Sequence, residues 1–203
     1  MKIVLFGAGG TVGRAVQSAL DEAGHEVIGV SRSAGAYQAD IRDIESLKDV
    51  YRKIGSFDHV ASAAGDVFPA PLEETTDEQW ADSFASKAMG QINLVRAGIP
   101  LISDKGSFTL ISGILTDEVV PASTVGTTIN HTVEGFVKGA ATELPRGIRI
   151  NCVSPTVLTE SPAYHPYFPG FQTVDASEVG QAYLRAISNP MTGRVLKLHK
   201  TES

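Results

Sequence analysis

The sequence predicts a doubly wound α/β fold with a single parallel seven-stranded sheet and helices on both faces. Three observations support this class: seven short apolar runs with strand composition, helical patterns between most of them, and a glycine-rich turn after the first run. Parallel strands need crossover connections, and these place helices over both faces of the sheet. With 203 residues, 42% of them hydrophobic, the chain is expected to form one domain over 1–203.

Seven runs rich in apolar and β-branched residues indicate the strands. They lie at 3–6, 26–30, 37–39, 59–62, 107–111, 148–153 and 195–198. About six residues separate the second run from the third, too few for a crossover helix, so this connection is predicted to be a loop. Two helices are predicted to begin at capping boxes, one formed by Thr75 with Glu78 and one by Asp175 with Glu178.

A glycine turn lies between the first strand and the first helix. Gly7, Gly10 and Gly13 follow a Gly-x-x-Gly-x-x-Gly spacing. Glycine permits a sharp bend and lets the backbone approach a pyrophosphate closely, while a helix N-terminus favours an anion. The turn therefore predicts a dinucleotide site that includes Thr11 and Val12 as well as the three glycines. The alternative is a tight turn without a ligand.

Composition excludes several classes of function. The net charge of −6, the pI near 5.3 and the lack of a basic run argue against a nucleic-acid surface. The single cysteine, Cys152, cannot form an intramolecular disulfide and is interpreted as a small buried residue of a strand. The five histidines are scattered, and no apolar stretch approaches the roughly 18 residues of a membrane span. We expect a cytoplasmic protein with small-molecule partners, no metal, no nucleic acid and no membrane.

The end of the second strand indicates which dinucleotide binds. An acidic residue there would accept the ribose hydroxyls of NAD, whereas an arginine accommodates the 2′-phosphate of NADP. The strand ends in Ser31, Arg32 and Ser33, with no carboxylate. A guanidinium and hydroxyl groups suit a phosphate, so NADP (NADPH) is favoured over NAD. The alternative is that Arg32 is a solvated loop residue.

These motifs follow one another in an order that resembles the short-chain dehydrogenase/reductase family over essentially the whole chain. The matching segments are the glycine loop, Arg32, 40–43, 61–65 and 147–155. The resemblance implies a Rossmann fold. It also implies further cofactor contacts from Asp40, Ile41, Ala63, Ala64, Gly65, Pro155, Val157 and Thr159.

The resemblance fails at the family's active site, which joins a serine after the fifth strand, a Tyr-x-x-x-Lys pair on the next helix and an asparagine on the fourth helix. Ser112 matches the serine. Gly126 stands at the tyrosine position, Asn130 at the lysine position and Lys87 at the asparagine position, and no tyrosine occurs in 52–163. The usual relay, in which lysine lowers the tyrosine pKa, is therefore absent. Such a chain resembles an atypical subgroup of the family.

Ser112, Lys87 and Asn130 are the candidate catalytic residues, with Asn130 also a candidate for binding the nicotinamide ribose. Ser112 has the alternative of a turn or capping serine, and Lys87 that of a structural ion pair or surface lysine. His131 is expected to be a packing or surface histidine. The Pro-rich loop 161–173 resembles a substrate lid and carries three residues that could supply a proton or simply pack: Tyr164, His165 and Tyr167.

We expect an NADP-binding oxidoreductase that acts on a small carbonyl compound or alcohol with a nonstandard proton donor. The alternative is a non-catalytic NADP-binding regulator or scaffold, which would explain the missing tyrosine and lysine more directly. The resemblance also implies a homo-dimer or tetramer that pairs through the fourth and fifth helices, near 77–101 and 123–144.

Overall fold

A computed structural model describes residues 1–200 of the protein. Seven strands form one sheet in the order β3-β2-β1-β4-β5-β6-β7, and every neighbouring pair is parallel. The strands are β1 Lys2–Phe6, β2 Glu26–Ser31, β3 Tyr37–Gln38, β4 Phe57–Ser62, β5 Ile102–Ile111, β6 Arg149–Pro155 and β7 Val195–Leu198. The predicted fold class is confirmed. The predicted domain 1–203 extends to 201–203, which lie outside the described residues.

Six α-helices connect the strands. They are α1 Thr11–Glu22, α2 Ile44–Ile54, α3 Asp77–Ser83, α4 Gly90–Gly98, α5 Thr124–Ala140 and α6 Ala176–Ser188. A π-helical turn, Phe84–Met89, joins α3 to α4, and short 3₁₀ turns occur at Leu72–Glu74, Ile114–Thr116 and Pro162–Tyr167. No helix within residues 1–200 is long and apolar enough to span a bilayer.

The helices lie on both faces of the sheet because successive strand residues point to opposite sides. Val4 and Phe6 of β1 pack in a core that also contains buried residues of α2, α4 and α5. Ile3 and Leu5 pack on the other face, in a core that contains buried residues of α1 and α6. The connection from β2 to β3 has no helix, as predicted, so this edge of the sheet is more open.

The two predicted capping boxes are wrong in detail. The helix near position 77 begins one residue later than predicted, because Thr76 and Gln79 form the capping box in which each side chain accepts from the other residue's backbone N–H. Thr75 instead donates its hydroxyl to the Leu72 carbonyl and accepts from the Trp80 indole. Asp175 does precede α6, but its side chain makes no capping hydrogen bond.

Strand order reverses direction between β1 and β4, and ligands of open α/β sheets bind at such a switch point. Phe6 pairs there with Ser62. The backbone N–H of Gly7 then donates to Val30, and that of Ala63 donates to Phe6. The carboxyl ends of three strands therefore meet beneath the glycine turn.

Candidate active site

The glycine turn packs closely on the end of β4. A Cβ at Gly7 would lie 2.5 Å from the Ala63 carbonyl oxygen, and Gly7 has a φ of +80° that favours glycine. A Cβ at Gly13 would lie 2.0 Å from the Gly7 carbonyl oxygen. Gly9 differs, because no atom lies within 4 Å of its Cβ position. Glycine is thus required beneath the turn, while the space above it is open.

A cavity of about 340 Å³ lies above this turn. It is lined by most of the predicted cofactor residues: Gly7, Gly10, Ser31, Arg32, Asp40, Ile41, Ala63, Ala64 and Gly65. Residue Gly10 precedes α1 and offers no side chain to cap the helix, so first-turn N–H groups are available to an anion. Thr11 lines a separate groove beside Glu160, and Val12 packs against the core, so neither side chain lines this cavity.

Two arginines lie at the adenosine end of the cavity. Arg32 has a side chain that is 65% exposed, and its guanidinium lies 3.5 Å from Asp66. Arg42, which the sequence interpretation did not select, binds Asp40 with N–O distances of 2.6 to 3.1 Å. The hydrogen bond from Arg42 lowers the pKa of Asp40. Asp40 is thus held by Arg42, and the cavity is lined here by two arginine–aspartate pairs, Arg42 with Asp40 and Arg32 with Asp66.

Ser31 shapes the loop after β2. Its hydroxyl is bonded to the carbonyl of Ala34, and it accepts from the Ala34 N–H at 3.0 Å. This local turn directs the next residue, Arg32, over the cavity. The structure therefore gives Ser31 a loop-forming role in addition to its position on the cavity wall.

Lys87 follows Ser86, which lines this cavity, in the π-helical turn between α3 and α4. π-Helical turns often occur at functional sites because they redirect side chains. The ammonium of Lys87 donates to the Ser112 carbonyl at 3.3 Å. Burial lowers the pKa of Lys87 from 10.5 to about 8, although the nearby Asp66 carboxylate partly opposes this effect.

Two neighbours fix the position of this lysine. Gly65 has a φ of +124°, and a Cβ there would lie 2.9 Å from Lys87 Cα. Only glycine lets the end of β4 pass so close to the lysine. On the other side, buried Gln91 exchanges hydrogen bonds of 2.8 Å with the backbone of Ile111 and donates to the Lys87 carbonyl at 3.1 Å. These contacts tie the π-helical turn to the carboxyl end of β5.

Asn130 on α5 is only 3% exposed, yet its side-chain oxygen has no hydrogen-bond partner within residues 1–200. Its amide nitrogen makes one long contact, 3.5 Å to the Gly113 carbonyl. Buried polar atoms normally have partners, so this acceptor is available to a ligand hydroxyl or N–H. This geometry fits the predicted interaction of Asn130 with a ribose.

The structure does not bring the Ser112 hydroxyl into the cleft. Ser112 is 4% exposed and donates to Glu134 Oε1 at 2.7 Å, in the interior between β5 and α5. The next residue faces the site instead: a Cβ at Gly113 would lie 3.2 Å from Asn130 Nδ2. Because neighbouring residues at a strand end point in opposite directions, this hydroxyl faces Glu134, and the predicted contact with a substrate carbonyl would require it to turn away from that carboxylate.

Glu134 is a functional candidate that the sequence interpretation missed. The carboxylate is 7% exposed and also accepts from Thr116 Oγ1 at 3.1 Å. It therefore joins both ends of the turn between β5 and the 3₁₀ segment at 114–116, and this turn carries the Ser112 carbonyl that binds Lys87. Helical spacing could have identified Glu134 from the sequence, because Asn130, Glu134 and Val137 share one buried face of α5.

A second cavity, of about 140 Å³, adjoins Lys87 and Asn130. Its other lining residues are mostly apolar and include Tyr164, Tyr167 and Phe168 of the predicted lid. His165 does not line it, because its Nε2 interacts with the Leu158 carbonyl at 2.9 Å. Two of the three predicted lid residues thus face the cavity. A larger groove of about 800 Å³ runs along α6 and β7 and shares no lining residue with either cavity.

The remaining candidates lie outside the two cavities. Thr159 is exposed and donates to Thr173 at 2.9 Å, while Pro155 and Val157 are buried at the end of β6. His131 is an exposed residue bonded to its own helix through Thr127, as predicted for a surface histidine. Cys152 is buried in β6, and burial raises the pKa of its thiol to about 12. Within residues 1–200, no group of three or more His, Cys, Asp or Glu side chains is placed to bind a metal.

Comparison with known proteins identifies the class to which this fold and cleft belong. A family model described as enoyl-(acyl carrier protein) reductase matches residues 7–191. The protein therefore belongs to the short-chain dehydrogenase/reductase family, which confirms the predicted membership.

Individual relatives resemble the chain at several levels of sequence identity. A solved structure of the protein lin1944 from Listeria innocua is 42% identical, with 97% of this chain and 98% of that chain covered and a TM-score of 0.94. A small-chain dehydrogenase solved in complex with NADPH is 28% identical, with 98% and 96% covered and a TM-score of 0.88. An uncharacterized oxidoreductase, MW2403, from Staphylococcus aureus (strain MW2) is 22% identical over 211 residues, which cover 92% and 90% of the two chains.

Proposed function

We propose that the protein is an NADP-dependent oxidoreductase that reduces a small carbonyl compound, or oxidises the corresponding alcohol, with Lys87 as the proton donor. The observation that carries this proposal is the position of Lys87 and Asn130, which line one small cavity adjoining the cofactor cleft. These two residue types stand at each other's usual positions in the family motif. The site thus keeps an amide and an ammonium, while position 126, where the family has its tyrosine, carries no phenol.

The residues of the larger cavity fit a dinucleotide. The open space above Gly9 leaves room for a pyrophosphate, and the uncapped start of α1 offers backbone N–H groups to it. In the adjoining smaller cavity, the unpaired Asn130 oxygen can accept a hydrogen bond from a ribose hydroxyl. NADP is favoured over NAD by Arg32 and Arg42, because guanidinium groups bind phosphate through charge-assisted hydrogen bonds. The small-chain dehydrogenase that is 28% identical binds NADPH, which supports the same choice here.

Bound NADPH would supply the hydride, and the protein would hold the cofactor in place and supply a proton. Asn130 accepts from a ribose hydroxyl, and the Ser112 carbonyl and Gly65 hold the Lys87 side chain in place. With a pKa of about 8, Lys87 is mostly protonated at neutral pH. It is a stronger acid than an ordinary tyrosine, whose pKa is about 10. Lys87 can therefore protonate the oxygen that gains charge as a carbonyl is reduced.

The cofactor half of the proposal is tested by titration with NADPH and NADH, followed by nicotinamide fluorescence. We expect micromolar or tighter binding that favours NADPH. Arg32→Ala should weaken NADPH binding about tenfold to a hundredfold, as expected for the loss of one phosphate contact, and leave NADH binding nearly unchanged. Arg52→Ala is the matched control, because Arg52 is an exposed arginine of α2 that pairs with Asp49.

The catalytic half is tested by NADPH oxidation with a panel of aldehydes, ketones and quinones. Turnover with any of them supports the enzyme. Tight NADPH binding with no turnover would instead favour the regulator or scaffold, especially if a partner protein binds differently with NADPH, NADP and no ligand. No binding of either dinucleotide would overturn both functions. Self-association through 77–101 and 123–144 stays a prediction, and light scattering at micromolar protein tests it.

A further inference from the structure

The cavity beside Lys87 is the size of a single ring. Its volume is about 140 Å³, whereas pockets for drug-sized ligands measure roughly 300–1,000 Å³. An engineered apolar cavity of about 150 Å³ in another protein binds benzene. This volume therefore accommodates a body of about one six-membered ring, and a fused ring system exceeds it.

The cavity owes its space to the missing tyrosine. Gly126 stands at that position and lines the cavity. A Cβ there would lie 3.0 Å from Leu115 Cδ1 and 3.6 Å from Val67 Cγ1, both of which also line the cavity. Any larger side chain at position 126 would extend into the space beside these two residues. Glycine in place of the family's tyrosine at position 126 thus leaves room for a ring.

The lining has the chemistry of an aromatic or alicyclic ring site with one polar end. The apolar part includes Val67, Leu115 and Val120, and aromatic side chains from 164–168 form the lid side. Aromatic rings pack favourably against one another, beyond the effect of apolar burial. Ser123 is already bonded to the Val120 backbone, so the polar side chains available to a ligand are Lys87 and Asn130 at one end and the hydroxyls of Tyr164 and Tyr167 on the lid side.

No carboxylate lines the cavity, and sugar hydroxyls would find few partners there. A buried hydroxyl without a partner costs free energy, so a polyol is disfavoured. The single ammonium suits one oxygen atom. The ligand that best fits this lining is therefore a mostly apolar ring that bears one carbonyl group.

We propose that the substrate is a neutral single-ring aldehyde or ketone, with its ring over Gly126 and its oxygen toward Lys87. The proposal rests on the proposed function and names its substrate class. In the reduction, a hydride from NADPH forms a C–H bond at the carbonyl carbon while the C=O π bond breaks. The oxygen takes a proton from the Lys87 ammonium, which regains one from water. The products are the alcohol and NADP⁺.

Binding of benzaldehyde to the protein with NADP⁺ tests the proposal without turnover. Isothermal titration calorimetry would compare the wild type with Gly126→Leu, which fills the cavity, and with Gly135→Leu on the same helix. Gly135 is the matched control, because it is exposed and no atom lies within 4 Å of its Cβ position. We expect benzaldehyde to bind the wild type and Gly135→Leu equally, and Gly126→Leu at least tenfold more weakly. NADP⁺ affinity should be the same in all three proteins.

A second aldehyde tests the proposed limit of one ring on the size of the substrate. We expect 2-naphthaldehyde, with two fused rings, to bind the wild type at least tenfold more weakly than benzaldehyde. Equal or tighter binding of naphthaldehyde, no benzaldehyde binding to the NADP⁺ complex, or equal benzaldehyde binding by a folded Gly126→Leu variant would each overturn the substrate class. If Gly126→Leu does not fold, Gly126→Ala replaces it, with an expected loss of a few fold. Absence of NADP⁺ binding to the wild type would instead overturn the proposed function.

Discussion

Replacing Lys87 with methionine is expected to stabilise the fold at neutral pH even though it removes the proposed proton donor. Burial lowers the pKa of Lys87 from 10.5 to about 8, and unfolding restores the ordinary value. Below pH 8 the side chain is charged in both states, so the folded state bears the full cost of burying the charge. At about 1.4 kcal/mol for each pH unit between the two pKa values, this cost is about 3 kcal/mol.

Methionine fills a similar volume and needs no solvation. It forfeits the hydrogen bond to the Ser112 carbonyl, which is worth about 1 kcal/mol. The net gain at pH 7 is therefore about 2 kcal/mol. The gain shrinks as the pH rises from 8 to 10.5, because lysine becomes neutral in the folded protein first. Above pH 10.5 the side chain is neutral in both states, and the gain disappears.

Urea denaturation of both proteins at pH 7 and pH 10 measures this difference. Lys138→Met is the matched control, because Lys138 is an exposed lysine of α5 and its loss should change the unfolding free energy by less than about 0.5 kcal/mol. A Lys87→Met variant that is less stable than the wild type at pH 7 would refute the reasoning. So would a stabilisation that is the same at both pH values.

Two further predictions concern the fold around the site. Gly13→Ala should destabilise the protein by roughly 3 kcal/mol or more, because its Cβ would lie 2.0 Å from a carbonyl oxygen, whereas Gly9→Ala should unfold near the wild-type temperature. Equal melting temperatures for the two variants would contradict this. The Asp117 carboxylate accepts hydrogen bonds from Lys197 and His199, and these contacts lower its pKa below 3.8. The ionised carboxylate therefore stabilises the fold above about pH 4. This stabilisation is lost as the pH falls through the lower pKa of Asp117 in the folded state. Because the side chain is partly exposed, Asp117→Asn should cost at most about 1 kcal/mol at pH 7, and an unchanged urea midpoint there would argue against the role.

The fold was predictable because its signals are local. Each strand is a short apolar run beside a turn, and the glycine turn is contiguous in the sequence. The capping box was not predictable, because Thr75 with Glu78 and Thr76 with Gln79 satisfy the same spacing. Tertiary contacts decide between them, since the Trp80 indole and the Leu72 carbonyl both use the Thr75 hydroxyl.

The candidate site was predictable only in part, for a similar reason. The residues of the cofactor cleft come from continuous motifs, and most of them line one cavity. The Ser112 hydroxyl and Glu134 meet across 22 residues of sequence, and no spacing rule relates a strand end to a position on the next helix. A difference of one residue at that strand end decides whether Ser112 or Gly113 faces Asn130. The cavity over Gly126 likewise depends on how α5 packs beside Leu115 and Val67.

The pH dependence of kcat tests the role of Lys87 most directly. It would be measured from pH 6 to pH 10 with saturating NADPH and the best carbonyl substrate of the panel, in the wild type and in Lys87→Met. The wild-type rate should be constant at low pH and fall about tenfold per pH unit above about pH 8, as the ammonium loses its proton. Lys87→Met should be slower by about a hundredfold or more and should lack this break. A variant that keeps the wild-type rate and pH profile would contradict the account.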